Sequence, residues 1–269
     1  MQIAVVTPER HGRRSYKSHA QYYAFTAEDS LIPVVAAELP QLIPTLPLAF
    51  LPSGDSYLLV AVASLISGQN LFVAPGSGQW LGSYVPAALR GYPFKMVKPD
   101  GLQQVVLCVI EDSGLLADQG EGIDFFDSAG KPTQPLQELA AFLSQVERSR
   151  AITQVAVDAL SSAGVIQPWP LQTEKDSATV PVNGLFRIDE AALNALDAET
   201  LKVLSDKGAL AIAYAQLFSM NQLSVLEKLK PMREQLQAQA QATQQATGAD
   251  ELNLEFLNSS GTISFGNLI

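Results

Sequence analysis

TQPLQELAAFLSQVERSRAITQVAVDALSSAG, residues 133–164, is the stretch on which the fold class turns. Leu136, Leu139, Phe142, Leu143 and Val146 recur at the 3.6-residue spacing of one helical face. Thr133 is placed to cap the helix, Pro135 fits its first turn, and Gly164 is a natural stop. The pattern predicts a helix from about Thr133 to Ala163. Upstream of it the chain reads differently. The first 115 residues hold β-branched and aromatic runs punctuated by Pro and Gly, whereas 135–245 carry helical periodicity with few breakers. That change predicts an α+β protein, a mainly antiparallel sheet from the N-terminal half packed with helices from the C-terminal half.

The expected domain covers residues 1–229, strand-rich over 20–115 and helix-rich over 133–229. Within the first part a short helix is expected at Pro33–Gln41, with strands at Leu46–Leu51, Tyr57–Ile66, Asn70–Val73, Phe94–Val97 and Gln104–Glu111. Ser53-Gly54-Asp55 is hairpin chemistry, since glycine accepts the positive φ such turns need. Beyond Gly164, Gln167-Pro168-Trp169-Pro170 reads as a rigid connector and Thr179–Arg187 as a strand. Asp189 then caps a helix at Glu190–Leu196, another helix spans Ala198–Lys207 up to Gly208, and a long apolar helix starts near Ala209. Residues 230–249 read as a linker or fraying helix, because Gln235–Thr247 is almost entirely Gln, Ala and Thr with no apolar stripe. Residues 250–269 mix polar and apolar positions about a turn at Asn258-Ser259-Ser260-Gly261, a pattern suited to a small hairpin docked on this or another chain.

With 269 residues, 47% apolar and only 16% charged, the chain has ample material for a core. Its formal charge of −10 repels nucleic-acid phosphates and anionic lipid headgroups, so neither is an expected partner. The one basic cluster is Arg10, Arg13, Arg14 and Lys17 with His11 and His19, read as a solvated segment, the alternative being a contact for phosphate or an acidic partner. The single cysteine, Cys108, lies in the apolar run 105–110 and is expected to pack as a small hydrophobe. The N-terminal residues place their basic groups after a short apolar run, the reverse of a secretion signal, and the longest apolar candidate, Leu58 to Ile66, is too short to span a membrane. The expected location is cytoplasmic.

Two histidines and one cysteine leave no zinc spacing, no iron facial triad and no nucleophile elbow, so no metal or cofactor is expected. Gly76-Ser77-Gly78 lacks the lysine of a phosphate loop and reads as a hairpin tip. The most distinctive segment is GQWLGSYVPAALRGYPF, residues 78–94. Pro86, Gly91 and Pro93 delimit a short helix at Val85–Arg90 whose last residue is a cation at the carbonyl end. Trp80, Tyr84, Tyr92 and Phe94 supply ring area that either lines a ligand pocket or fills a satellite core. Glu111 and Asp112 follow a buried strand. Adjacent strand residues face opposite sides, so a shared acid/base pair is not expected; Glu111 is expected to meet Arg90, and Asp112 to open a turn. The candidate ligand- or partner-binding residues are therefore Trp80, Tyr84, Arg90, Tyr92, Phe94, Glu111 and Asp112, with no catalytic residue assigned.

Five blocks in fixed order carry a resemblance to a known family. They are Asn70-Leu71-Phe72-Val73; Trp80-x-x-x-Tyr84-Val85-Pro86-Ala87-x-x-Arg90-x-Tyr92-Pro93-Phe94; Leu107-Cys108-x-x-Glu111-Asp112-Ser113; Gly184-Leu185-Phe186-Arg187-Ile188-Asp189; and Ala213-Tyr214-Ala215-Gln216-Leu217. Over about residues 8 to 222 the chain resembles the bacterial SapC family. The resemblance implies a surface-layer association in one bacterial group. In other bacteria it implies genes beside outer-membrane TonB-dependent receptors and flavin-dependent tryptophan-halogenase-like proteins, as in an uptake or modification cluster. It carries no catalytic residue across. The expectation is a non-catalytic binding or adaptor protein taking a protein partner or a small molecule such as an amino acid or peptide. The alternatives are an enzyme without metal or histidine chemistry, with Glu111 as base and Arg90 as carboxylate clamp, and a surface-layer component.

Overall fold

The computed structural model describes residues 2–19, 22–98, 105–175 and 178–250. In chain order the elements are β1 (Ile3–Val5), α1 (Pro8–His11), β2 (Arg14–Tyr16), β3 (Leu31–Pro33), α2 (Leu39–Leu42), β4 (Leu48–Ser53), β5 (Ser56–Val62), α3 (Ala87–Arg90), β6 (Phe94–Val97), β7 (Val106–Ile110), β8 (Leu116–Asp118) and β9 (Ile123–Asp124). They continue with α4 (Gln134–Ser162), β10 (Ile166–Pro168), β11 (Leu171–Lys175), β12 (Ala178–Val182), β13 (Phe186–Ile188), α5 (Glu190–Asn194), α6 (Ala198–Asp206), α7 (Ala209–Ser219) and α8 (Leu223–Asp250). Every strand pairing among them is antiparallel. The fold is α+β, sheets mostly from the first half and helices from the second.

The β4–β5 hairpin organises the main sheet, whose order is β10-β13-β4-β5-β3. Ser53 pairs with Ser56 and Gly54 takes φ 56°, which a side chain would resist, so the turn closes in two residues. Leu48, Ala49 and Phe50 on β4 and Val60, Ala61 and Val62 on β5 are buried almost completely. Both faces of these strands are therefore covered, which explains near-continuous apolar runs in place of strict alternation. The β13–β4 ladder is a single pair, Phe186 with Phe50. One step along this register Ile188 would pair with Leu48, and there the buried Gln216 amide of α7 intervenes. Its Oε1 accepts from the Ile188 N–H at 2.9 Å and its Nε2 donates to the Leu48 carbonyl at 3.2 Å. A side-chain amide thus replaces a ladder bond and stitches α7 to two strands.

α4 is the spine. Thr153, Ala156, Val157, Ala159 and Leu160 are buried at its C-terminal half, where it packs along β5 and α7. Its N-terminal half buries Leu136 and Leu143 in a second core with Tyr16, Phe94, Val109, Phe125 and Phe126. That core lies between the sheets β1-β7-β6 and β8-β2-β9. Gly164 ends the helix at φ 67°. Thr133 occupies the N-cap position, but its hydroxyl donates to the Asp124 carbonyl at 2.7 Å and caps no amide, a correction to the expected capping role. Asp189 and Asp197 do cap their helices, accepting from Ala192 and Thr200 N–H.

Five sequence expectations change. Leu31–Pro33 is a strand on the edge of the main sheet, and only Leu39–Leu42 of the expected early helix is α-helical. Asn70–Val73 is no strand, because the buried Asn70 amide serves the backbone itself, donating to the Thr26 carbonyl and accepting from Phe72 N–H. The strand expected at Thr179–Arg187 divides into β12 and β13 at Asn183-Gly184, where Gly184 takes φ 88°. The apolar helix from Ala209 is interrupted by a 3₁₀ turn at Met220–Gln222. An 18-residue window within Ala209–Ala238 is nevertheless long and apolar enough, by length and composition alone, to cross a membrane, so the expectation that no stretch reaches that length is corrected. In this fold Ala209, Ile212, Ala213 and Ala215 of that stretch pack into the core. Gln104 and the tail from 251 lie outside the described residues, and residues 230–249, read as a linker or fraying helix, belong to α8.

Candidate functional site

Around α3 three elements converge: the strand end β2 with Lys17, Ser18 and His19 after it, the α3–β6 segment, and the N-terminal half of α4. α3 is one turn, with Pro86 before it and Gly91 after it. Gly91 gives α4 room for a close approach, since a Cβ there would stand 2.5 Å from Leu143 Cδ2 and the leucine tip would have to move. This contact seats the last residue of α3, Arg90, beside α4. The Arg90 guanidinium lies 4.9 Å from the centre of the Phe142 ring and 5.5 Å from that of Tyr84, stacked as a cation over two π-faces.

Beneath Arg90 is a buried acid that the sequence reading did not single out. Glu38, 5% exposed, accepts from the Tyr84 hydroxyl at 2.8 Å with Oε1, which also takes the Ala87 N–H, and from Val35 N–H at 3.2 Å with Oε2. Three donors satisfy a carboxylate that would otherwise be costly to bury. Arg90 Nη2 donates to the Tyr84 oxygen at 3.2 Å, completing a relay Glu38–Tyr84–Arg90. Burial, and then the Glu38 carboxylate, push the Tyr84 phenol up to about 12. Tyr84 therefore stays protonated and its hydroxyl works as a fixed hinge between acid and cation.

Two cavities meet at Arg90 and Phe142. The larger, about 410 Å³, is an open groove walled by Tyr16, Tyr92, Phe94, Phe142 and Leu139, with Lys17, His19 and Arg90 as its basic groups and Glu138 as its acid. The smaller, about 200 Å³, reaches the Glu38–Tyr84 pair. Tyr92 is held flat against Phe25, ring centres 3.8 Å apart at 5°. Phe94 is buried, edge-on to Tyr16 at 4.8 Å, and forms the floor. Burial lowers the His19 pKa, so this imidazole is a neutral hydrogen-bonding group at pH 7.

The structure thus brings Tyr84, Arg90, Tyr92 and Phe94 together at the groove; Trp80 reaches Tyr84 from the core side, the Asp112 charge acts on Tyr92, and Glu111 is engaged elsewhere. Trp80 is 7% exposed, stacked on Phe72 with centres 5.2 Å apart, and its indole N–H donates to the Tyr84 carbonyl at 2.8 Å. Its ring is core, and it braces Tyr84 from behind. Glu111 does not meet Arg90. It belongs to a 3₁₀ turn, Glu111–Ser113, that closes with Gly114 at φ 74°. Arg10 grips it through two bonds, Nε to Oε1 at 2.8 Å and Nη2 to Oε2, which holds the carboxyl below its usual range. A nearer cation reached from α1 explains the correction. The buried His11 accepts from Thr7 N–H through Nδ1 at 3.4 Å, which leaves its proton on Nε2, 3.6 Å from Glu111 Oε1. This ties the N-terminal segment to the end of β7, so the segment is not simply solvated. Asp112 accepts the Gln2 N–H, while the turn expected of it is made by Ser113, whose Oγ accepts from Leu115 N–H. Cys108 is buried, as expected of a small core residue.

Glu38, Glu138 and Phe142 are the site residues missed in the sequence. Glu38 had one usable signal, a lone acid inside the apolar run 34–39; Phe142 was visible only as part of a helical stripe.

Helices and antiparallel sheets joined through one long central helix, with an aromatic groove around a tethered arginine, describe an α+β protein with one aromatic, basic corner. The SapC family matches residues 6–226, which include every residue of that corner, and the chain belongs to the SapC family. Comparisons with curated proteins and with solved structures find no match.

Proposed function

We propose that this SapC-family chain is a non-catalytic binding protein that takes a carboxylate-bearing ligand with an aromatic or aliphatic body, an amino acid or a peptide end, in the groove beside Arg90. The observation that carries this reading is the Glu38–Tyr84–Arg90 relay. A surface arginine usually pays rotamer entropy to bind an anion, whereas this one is held in advance by a phenol and two rings. Tyr92, Phe94 and Phe142 offer the apolar wall for the body of the ligand, and Glu138 at the same groove provides an acceptor for an ammonium. The separation of Glu111 from Arg90 removes the pair on which the enzyme alternative rested.

The test is a thermal-shift and calorimetric screen of the free amino acids and of tripeptides. A ligand at a hundred times its Kd is expected to stabilise the fold by about 2.7 kcal/mol, and Arg90→Ala is expected to abolish the shift while leaving the unliganded midpoint nearly unchanged. If no carboxylate ligand binds, or Arg90→Ala binds it as well as the parent, the reading is wrong. Co-purification of a protein partner that Arg90→Ala loses would instead assign the groove to an adaptor role.

A further inference from the structure

A cavity of about 230 Å³ that shares no lining residue with the Arg90 groove is walled by Arg10, His11, Arg14, Glu111 and Leu116. Leu116 is its one apolar residue, so it offers no wall for the body of an organic molecule. Its volume suits a small ion with a few waters, since a water takes about 30 Å³ of liquid. One of its donors is unmatched. His11 is 1% exposed, and its Nε2 proton finds no acceptor within hydrogen-bonding distance among the described residues. Glu111 Oε1 stands 3.6 Å away, too far for a hydrogen bond, and is held there because Arg10 grips both carboxylate oxygens. A buried donor without a partner is costly and rare, which points to an acceptor supplied from outside the chain.

Local charge favours an anion. Arg10 and Arg14 bring two positive charges and Glu111 one negative, which leaves the lining net positive although the whole chain carries −10. Arg10 spends its Nε proton and one Nη2 proton on Glu111 and keeps its other N–H groups. Arg14, exposed at the start of β2, makes no side-chain hydrogen bond or ion pair among the described residues, even with Asp118 opposite it on β8. Glu111 then narrows the choice of anion. Each of its oxygens takes one N–H from Arg10 and retains acceptor capacity, so the site favours an anion that carries a proton and repels one that does not. At neutral pH inorganic phosphate keeps at least one P–OH, sulfate has none, and a phosphomonoester, with its second pKa near ~6, has mostly lost its own.

We propose that this cavity binds inorganic phosphate, with Arg14, the remaining N–H groups of Arg10 and His11 Nε2–H donating to its oxygens and Glu111 accepting its P–OH. Donors from three side chains suit a tetrahedral anion, whereas a planar carboxylate is satisfied by the fork of a single arginine. The proposal is independent of the Arg90 reading.

Calorimetric titration of the full chain with inorganic phosphate, at neutral pH and constant ionic strength, tests it together with NMR of the two histidine rings. Saturable binding is expected, and the His11 ring resonances should shift while those of His19, in the Arg90 groove, stay in place. Arg14→Gln changes an exposed side chain, so its fold, verified by circular dichroism, should persist while phosphate binds on the order of tenfold more weakly. Sulfate and glycerol phosphate at the same ionic strength are expected to bind on the order of tenfold more weakly than phosphate to the parent. No saturable binding at millimolar phosphate, an Arg14→Gln chain that binds as well as the parent, or sulfate or glycerol phosphate bound as tightly as phosphate overturns the proposal. A shift of the His19 ring without one of His11 also overturns it, since the anion would then sit in the groove.

Discussion

Replacing Trp80 by alanine separates a core residue from a surface anchor, and the structure gives the size of the effect. The indole is 7% exposed, stacked on Phe72 and edge-on to Tyr23 at 5.8 Å. Truncation removes that area and leaves a cavity, for which buried Trp→Ala changes cost about 3–5 kcal/mol. It also strips the Tyr84 carbonyl of its indole donor, a loss of about 1 kcal/mol that falls within the same range. For a domain of this size each kcal/mol moves the midpoint by about 2–4 °C, so the expected drop is roughly 6–20 °C. Differential scanning calorimetry at matched pH and salt measures it. Because Tyr84 loses its brace, ligand affinity should fall as well, whereas Arg90→Ala should reduce affinity with little change in midpoint. A Trp80→Ala midpoint within 3 °C of the parent would refute the core assignment and return the ring to the surface.

Gln216→Leu keeps side-chain volume but orphans the Ile188 N–H and the Leu48 carbonyl; at about 1–3 kcal/mol per buried unsatisfied group it is expected to cost roughly 2–6 kcal/mol by chemical denaturation. Glu38→Gln sets an amide NH₂ against the donors of Tyr84, Ala87 or Val35, and removes one of the influences that raise Tyr84; ultraviolet titration should show the phenol moving from about 12 toward its ordinary value of 10. Stability should fall in two stages on acidification. His11 and His19 have lowered pKa values, chiefly through burial, so the unfolded chain takes up protons first and stability declines as pH drops below 6.5. Glu111, lowered by Arg10, and Asp112, Asp158 and Asp197, lowered by their hydrogen bonds, add stability above the ordinary carboxylate range that is lost as pH falls through their folded values. Urea midpoints from pH 8 to pH 3 check this, and a profile flat between 7 and 5 would contradict the histidine assignment.

Local chemistry along the chain was enough to place the long helix at 134–162, its stop at Gly164, the Gly54 hairpin, the cap at Asp189 and the short helix that ends in Arg90. These depend on periodicity, positive φ and capping within a few residues, which neighbouring sequence dictates. The five motif blocks likewise point to the SapC family from the sequence alone. Partnerships across the chain were another matter. Glu111 had several cations within the sequence to choose from and took Arg10, about a hundred positions away, because α1 folds back over the end of β7. Glu38 and Tyr84, 46 positions apart, become a buried pair only when α3 settles on α4, an approach the missing side chain of Gly91 allows. Whether an aromatic ring such as Trp80 is core or surface depends on what packs against it, and that is a property of distant segments closing on one another.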